Sequence, residues 1–174
     1  RSPSLMTGYL DNPEATREAF TEDGWLRTGD LGRIDKRGFI FITGRSKNLI
    51  VTEGGKNVYP EEIEQKFAGQ PFVLEVLVVG RKAHSGAAGD EIVAVLVPNR
   101  DAIEAAHPGR SADAPFVHGL MRDEVARVNR QLAQYMKISD LVVRADEFEK
   151  TSSRKIRRFL YQKQYGVAGP GAGT

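Results

Sequence analysis

The sequence predicts an α+β domain that begins near residue 46. Two short valine-rich runs, 73–80 and 91–98, are each ended by glycine or proline, which favours buried strands over helices. In 116–136, apolar residues recur every three or four positions, which predicts a long helix with one buried face. Hairpin, strand and helix signals alternate along the rest of this segment, an order typical of helices packed on a small sheet.

The first 45 residues carry weaker signals and predict the tail of a larger unit. A proline at the first position and an acid in the first turn predict a short helix over 13–20. Asp23-Gly24 predicts a tight turn. Short apolar runs bounded by turn residues predict strands over 31–35 and 38–43, and a further one over 48–52 just after this tail.

The later segments complete the predicted domain. Residues 60–68 predict a helix that places Ile63 and Phe67 on one face. We expect a hairpin loop holding His84, a polar surface insertion over 99–115 and a last strand over 138–143. A Thr-Ser-Ser cap predicts a basic helix over 151–165, and a flexible Gly/Ala/Pro-rich tail follows over 166–174.

Composition excludes several functional classes. With 40% hydrophobic and 28% charged residues, the chain can bury a core and is not disordered by composition. There is no cysteine, and His84, His107 and His118 are far apart in sequence, so we expect no thiolate or histidine metal site. A net charge of +2 does not demand nucleic acid. No apolar run approaches the roughly 20 residues of a membrane span.

The chain begins at Arg1 rather than methionine, and we expect a fragment of a longer protein. Because the true N-terminus would then be missing, the lack of a signal peptide says little about targeting. We expect a cytoplasmic protein without a transmembrane segment, and we leave open that the full-length protein contacts a membrane peripherally.

Residues 44–64 carry the most informative pattern. A strand-like run ends at Gly54-Gly55, and a helix with three acids in its first turns follows. The run is entered through Gly44-Arg45, a flexible residue beside a fixed cation. Since paired glycines let a backbone approach a ligand closely, the pattern predicts a joint and a ligand surface in one segment.

Four segments, 8–16, 24–32, 44–64 and 151–158, occur in an order that resembles the adenylate-forming enzymes. This family includes acyl-CoA synthetases, firefly luciferase and the adenylation domains of nonribosomal peptide synthetases. One such segment alone is a weak match, but four in the right order are highly specific. The Gly-Gly-Lys-Asn-Val form of the loop most resembles long-chain fatty acyl-CoA synthetases.

The resemblance implies the small, mobile C-terminal domain of such an enzyme over 46–165. Its fold would be a β-hairpin plus a mixed three-stranded sheet flanked by helices. Residues 1–45 would be the tail of the large N-terminal domain, the missing partner that holds the acyl pocket and phosphate loop. The fragment alone would be inactive and would require no cofactor.

The resemblance also implies a two-step reaction that uses ATP, Mg²⁺ and coenzyme A in the full-length enzyme. A fatty acid attacks the α-phosphate of ATP, giving an acyl-adenylate and pyrophosphate. Coenzyme A then displaces AMP. The small domain rotates between the two steps and presents different faces to one active site.

Three residues match nucleotide-binding positions of the family. Asp30 matches an aspartate that accepts hydrogen bonds from the ribose hydroxyls, since one carboxylate can accept both. Arg45 matches an arginine that also reaches the ribose, and Asn57 matches a polar residue near the adenylate phosphate. The alternatives are an ordinary turn aspartate and a solvated surface arginine.

A hinge residue and a thioester-forming loop are also implied. Lys47 matches the hinge position, which absorbs changes in φ and ψ. Gly54, Gly55 and Lys56 match the loop that enters the active site, where glycine lets the backbone approach the pantetheine arm of coenzyme A. A simple strand-to-helix turn explains the glycines nearly as well.

Lys155 matches the catalytic lysine of the adenylation step. An ammonium there can bridge the acid's oxygen and the α-phosphate and offset charge that builds during transfer. Arg154 stands where the family usually has glycine. The alternative is that Lys155 is one solvated cation of a basic helix.

Rival functions stay open at this stage. An acyl-AMP ligase or a peptide-synthetase adenylation domain would share the chemistry but load a carrier protein. A non-catalytic nucleotide-binding or interaction module would share only the fold. Nucleic-acid binding by the basic helix is disfavoured, because the net charge of the chain is only +2.

Overall fold

The computed structural model describes residues 2–82 and 88–166. The chain divides into two compact units, Arg1–Ser46 and Lys47–Thr174. His84, predicted to lie in a hairpin loop, and the predicted tail beyond residue 166 fall outside the described residues.

The first unit contains one short helix and one hairpin. Helix α1 (Pro13–Ala19) begins where the Asn12 side chain accepts a hydrogen bond from the Ala15 N–H at 3.0 Å. Strands β1 (Asp30–Ile34) and β2 (Ile40–Arg45) pair antiparallel. The predicted helix and the predicted pair of strands are both present, with ends shifted by one or two residues.

The second unit combines a short hairpin, a three-stranded sheet and helices. Its elements are, in chain order, β3 (Ile50–Val51), β4 (Asn57–Val58), α2 (Pro60–Glu64), β5 (Val73–Lys82), β6 (Asp90–Pro98), α3 (Arg100–Ala106), α4 (Ala114–Asn129), β7 (Asp140–Val143) and α5 (Arg158–Tyr165). A 3₁₀ turn, Gln65–Phe67, continues α2, and Ile63 and Phe67 are both buried as predicted.

The sheet has the order β5-β6-β7 and is mixed. Strands β5 and β6 pair antiparallel, whereas β6 and β7 pair parallel. A parallel pair needs a long crossover, and α3 and α4 supply it here. The predicted α+β fold with a mixed three-stranded sheet is therefore confirmed.

Both faces of this sheet are covered, which explains why β5 and β6 are apolar at almost every position. On the face that packs against α4, here called the α4 face, Val78, Ala94 and Leu96 belong to one core with Val117, Met121 and Val128. On the opposite face, here called the α5 face, Leu77, Val79, Val93 and Val95 form a second core with Phe148 and Tyr161. Successive strand residues thus alternate between two buried layers.

The expected surface insertion over 99–115 is wrong, because this segment contains α3. The Asn99 side chain caps the helix by accepting from the Ala102 N–H, and Ile103 is fully buried in the α4-face core. His107 is not a plain surface residue either, since its ring contacts those of Phe72 and Phe116. The polar composition hid a helix that needs only one deeply buried side chain.

The long helix predicted over 116–136 is shorter and begins earlier. It starts after Asp113, whose carboxylate accepts from the Phe116 N–H at 3.1 Å. It ends at Asn129, whose side chain bonds both the N–H and the carbonyl of Ile138 at 2.9 Å. Leu132 is buried although it lies beyond the end of the helix. The periodic spacing of apolar residues therefore extends further along the chain than the helix itself. Within the described part of the chain, no helix has the length and apolar character to cross a membrane.

Candidate functional site

Asp30 and Arg45 form one cluster in the first unit. They are directly opposite each other where β1 and β2 pair. The Arg45 Nε lies 2.6 Å from Asp30 Oδ1, and an Arg45 Nη donates to the Thr28 carbonyl at 3.2 Å. The Arg45 side chain remains 58% exposed, so the pair lies at the surface of its unit. The structure therefore brings together two of the residues expected at a nucleotide.

Lys47 is the first residue of the second unit and lies within the 3₁₀ turn Ser46–Asn48. Its side chain is exposed. The next residue, Asn48, is tied into the second unit, where its amide donates to Glu61 Oε1 at 2.6 Å. Lys47 thus lies between Ser46, the last residue of the first unit, and Asn48, which is hydrogen-bonded within the second unit.

The loop between β3 and β4, here called the Gly-Gly loop, runs over 52–56. The Thr52 N–H donates to the Lys56 carbonyl at 3.0 Å, and the Gly55 N–H donates to the Thr52 carbonyl at 2.8 Å. Gly55 has φ +67, a conformation that favours glycine. Gly54 has no positive φ, and a Cβ there would meet nothing within 4 Å. The turn accounts for Gly55 but gives no reason for glycine at 54.

Lys56 and Asn57 follow in this loop and at the start of β4, and both are exposed. Asn57 pairs with Val51 across the hairpin, while Val58 is buried in the α4-face core. The hairpin is therefore anchored by one strand residue and presents its neighbours to solvent.

Gly89 supports the Gly-Gly loop from behind, a role that the sequence did not predict. A Cβ at Gly89 would lie 2.5 Å from the backbone N and Cα of Glu53, and its φ is +108. Thr52 also forms a bridge with Asp90. In the sequence, a glycine at the end of a turn indicated a loop at this position. It did not indicate that Gly89 packs against the Gly-Gly loop.

Lys155 lies on a loop, because the helix predicted over 151–165 begins later than the Thr-Ser-Ser cap. The Thr151 N–H donates to the Lys155 carbonyl at 2.8 Å, and the Lys155 N–H donates to Thr151 Oγ1 at 3.2 Å. These bonds close a turn, here called the Lys155 loop (151–157), and α5 begins only at Arg158. Lys155 is exposed, and no carboxylate of the described residues pairs with it.

Arg158 is the opposite case, a cation built into the fold. It forms an ion pair with Glu64 and donates to the Val78 carbonyl at 3.1 Å. Glu64 in turn accepts from the Val78 N–H at 2.7 Å. Burial raises the pKa of the Glu64 carboxyl, although the positive charge of Arg158 acts against this effect. The network joins α5, α2 and β5, and sequence reasoning missed it because it treated Arg158 as one charge of a basic helix.

The Gly-Gly loop and the Lys155 loop are anchored on opposite faces of the sheet. Ile50 and Val58, which flank the first loop, belong to the α4-face core. Ile156, at the end of the second loop, packs against the α5-face core. Two exposed loops with different chemistry are thus anchored on two sides of one sheet.

Metal ligands are not gathered anywhere in the part of the chain that the structure describes: no group of three His, Cys, Asp or Glu side chains comes together there. The described residues therefore do not fit a Mg²⁺ site of their own, and we assign none of them to magnesium.

The chain matches the family model described as the AMP-binding enzyme C-terminal domain over residues 62–155, more than half of its length. It is 36% identical over 158 residues to an indoleacetate–CoA ligase from Aromatoleum aromaticum, covering 91% of this chain and 27% of that protein. It is 32% identical over 170 residues to a long-chain fatty acid–CoA ligase from Mycobacterium tuberculosis, covering 98% of this chain and 30% of that protein.

Among solved structures, the chain is similar to ATP-bound MatB from Rhodopseudomonas palustris, with a TM-score of 0.67 and 32% identity. The match covers 96% of this chain and 29% of that one. In each case, the chain spans less than a third of the length of the protein it resembles.

Proposed function

The chain belongs to the adenylate-forming enzymes, and from this premise we propose that it is the C-terminal part of an ATP-dependent acyl-CoA ligase. The full-length enzyme would convert an acid and ATP to an acyl-adenylate and pyrophosphate, and would then transfer the acyl group to coenzyme A with release of AMP. The observation that carries the proposal is the placement of the Gly-Gly loop and the Lys155 loop on opposite sheet faces. A two-step enzyme that turns one small domain between steps needs two such surfaces.

Lys155 would act in the first step. Its ammonium is exposed and has no carboxylate partner among the described residues, so its charge is available to a ligand. Placed between the acid's oxygen and the α-phosphate, it would stabilise the negative charge that spreads over the phosphoryl oxygens during transfer. An exposed lysine already neutralised by a carboxylate would do this less well.

Asp30 and Arg45 would hold the nucleotide. Arg45 contacts Oδ1 of Asp30 and so fixes the carboxylate in one orientation. An oriented carboxylate can accept hydrogen bonds from two adjacent ribose hydroxyls, and the guanidinium offers further donors beside it. Asn57 would supply a polar side chain near the adenylate phosphate.

The second step would use the other face. Gly54, which no feature of the turn requires, would let the backbone of the Gly-Gly loop approach the pantetheine arm of coenzyme A. Gly55 would shape the loop, and Lys56 would lie beside the ligand. Lys47, at the unit boundary, would act as the hinge that exchanges the two faces.

A large N-terminal part of the same protein would complete the enzyme. In the first unit, large apolar side chains of the β1–β2 hairpin are exposed, with Ile34 at 69%, Ile40 at 68% and Ile42 at 65%. Contiguous exposed apolar surface of this kind marks a place where another protein surface packs. Residues 1–45 would thus be the tail of the N-terminal domain.

For the acid, we propose a long-chain fatty acid, because the loop sequence Gly-Gly-Lys-Asn-Val resembles that of long-chain enzymes. The similar proteins act on different acids by name, indoleacetate in one case and long-chain fatty acids in another. A cytoplasmic enzyme in peripheral contact with a membrane would meet long-chain acids where they partition.

The deciding experiment uses the full-length parent enzyme. We expect pyrophosphate exchange into ATP that depends on palmitate and is weaker with indoleacetate, and formation of acyl-CoA when free coenzyme A is added. The chain of 174 residues assayed alone should show no exchange. Exchange without transfer to free coenzyme A would instead favour a carrier-loading enzyme, and absence of exchange with any acid would favour a non-catalytic module.

A further inference from the structure

We propose that Arg154 is a second phosphate-contacting residue beside Lys155, one that binds the pyrophosphate portion of ATP during adenylation. This inference rests on the proposed function and adds a residue to it. The starting observation is conformational: Arg154 has φ +61. Among the described residues, Asp11 is the other non-glycine residue with positive φ.

A left-handed backbone is unfavourable for arginine. The Cβ approaches the following carbonyl, at a cost of roughly 1–2 kcal/mol per residue. Aspartate and asparagine tolerate the region better because their short side chains bond locally. Glycine would adopt φ +61 freely, so the turn itself would be more stable with glycine at 154.

Nothing in the fold offsets this strain. The Arg154 side chain is exposed, and it makes no hydrogen bond, ion pair or ring contact with another described residue. The turn uses only its backbone N–H, which donates to the Thr151 carbonyl at 2.9 Å. Glycine would make the same bond. Strain that packing does not repay is found at functional sites, where a side chain is needed for another purpose.

Neighbouring cations have acidic partners, whereas Arg154 has none among the residues that the structure describes. Lys150 pairs with Glu75 and Glu147, and Arg158 pairs with Glu64. Arg157 lies 4.0 Å from Glu149. Across the described part of the Lys155 loop and its flanks, the two cations without an acidic partner are therefore Arg154 and Lys155, which are adjacent.

Two adjacent cations without carboxylate partners form a site for a polyanion. Consecutive Cα atoms are about 3.8 Å apart, so both side chains can reach one triphosphate. Guanidinium groups bind phosphate oxygens through two parallel hydrogen bonds, whereas an ammonium acts as a point charge. With Lys155 at the α-phosphate, Arg154 is matched to the phosphates beyond it.

The chemistry gives this contact a function. As the acid's oxygen bonds to the α-phosphorus, the bond from that phosphorus to the bridging oxygen breaks, and its electron pair leaves with pyrophosphate. Negative charge therefore grows on the leaving group. A guanidinium that contacts the β- and γ-phosphates would bind them more tightly in the transition state than in the bound substrate. This difference lowers the barrier and accelerates the step.

The test compares Arg154→Gly and Arg154→Lys with the unmodified full-length parent enzyme. We expect Arg154→Gly to lower kcat/KM for pyrophosphate exchange about 10- to 100-fold, which corresponds to the loss of one charge-assisted hydrogen-bonded contact, to leave thioester formation from supplied acyl-adenylate unchanged, and to keep or raise Tm. Arg154→Lys should restore part of the exchange. Arg157→Met, which removes an exposed cation of the same loop, is the matched control and should keep full exchange.

Two results would overturn the role of Arg154: normal exchange in Arg154→Gly, or an equal loss in both half-reactions. An unmodified parent without acid-dependent exchange would instead overturn the proposed function itself. Since the glycine variant is expected to fold at least as well as the parent, a loss of exchange with unchanged Tm supports the inference.

Discussion

Lys155 and Arg158 are three residues apart in one basic segment, yet the structure uses them in opposite ways. Arg158 is 17% exposed and bonded to Glu64 and Val78, so its charge is paired within the folded domain. Lys155 is exposed and has no carboxylate partner among the described residues. A cation is therefore assigned to structure or to a ligand by the acids that fold around it, which a run of basic letters does not reveal.

The largest expected effect comes from removing the structural cation. Arg158→Met leaves the partly buried Glu64 carboxylate, 17% exposed, without its cation, and breaking a fully buried pair would cost about 3–5 kcal/mol of unfolding free energy, which sets the upper bound here. Urea unfolding followed by circular dichroism measures this loss. Arg157→Met should change stability by no more than about 0.5 kcal/mol. Similar values for the two variants would contradict the distinction between an anchoring and an exposed cation.

Removing the ligand-facing cation should affect chemistry and spare stability. In the full-length parent, we expect Lys155→Ala to slow adenylation by a factor of about 10²–10³, because a charge aimed at the transition state is lost. Thioester formation from supplied acyl-adenylate and the unfolding free energy should hardly change. Lys163→Ala, which removes an exposed cation of α5, provides the control. A parallel loss in both half-reactions would exclude the assigned role.

The two glycines of the Gly-Gly loop sharpen the same distinction on the other face of the sheet. Gly55→Ala should cost roughly 1 kcal/mol of stability, because alanine is strained at φ +67. Gly54→Ala should leave stability unchanged, since a Cβ there meets nothing. It should nevertheless slow thioester formation if the backbone approaches coenzyme A. Unfolding curves and half-reaction rates for the two variants provide the measurement, and normal rates in Gly54→Ala would reduce the loop to a simple turn.

The sequence predicted what depends on local patterns and failed where distant partners decide. Valine-rich runs located β5 and β6, and Pro60 located the start of α2. The helix predicted over 151–165 begins only at Arg158, because the Thr151 hydroxyl accepts from the Lys155 N–H and closes a turn instead of capping a helix. The apolar periodicity predicted that the long helix would continue past Asn129. In the structure it ends there, where the Asn129 side chain hydrogen-bonds to the backbone of Ile138.

The candidate site shows the same limit. Asp30 and Arg45 were expected to share a ligand, but their direct pairing requires the register of β1 and β2. The strain at Arg154 is a backbone property, and sequence showed only that arginine stands where related proteins have glycine. Arg158 and Glu64 are 94 positions apart, so no local pattern could join them.

Contact at Gly89 has a mechanical consequence for the Gly-Gly loop. The backbone of Glu53 lies so close to Gly89 that no side-chain atom fits between them, whereas the outer side at Gly54 and Gly55 is open. Displacement of the loop toward β6 is therefore blocked by Gly89, whereas displacement toward solvent is opposed by the bridge between Thr52 and Asp90. A ligand that presses on the outer side would therefore meet a loop whose backbone at Glu53 is already in contact with Gly89 behind it.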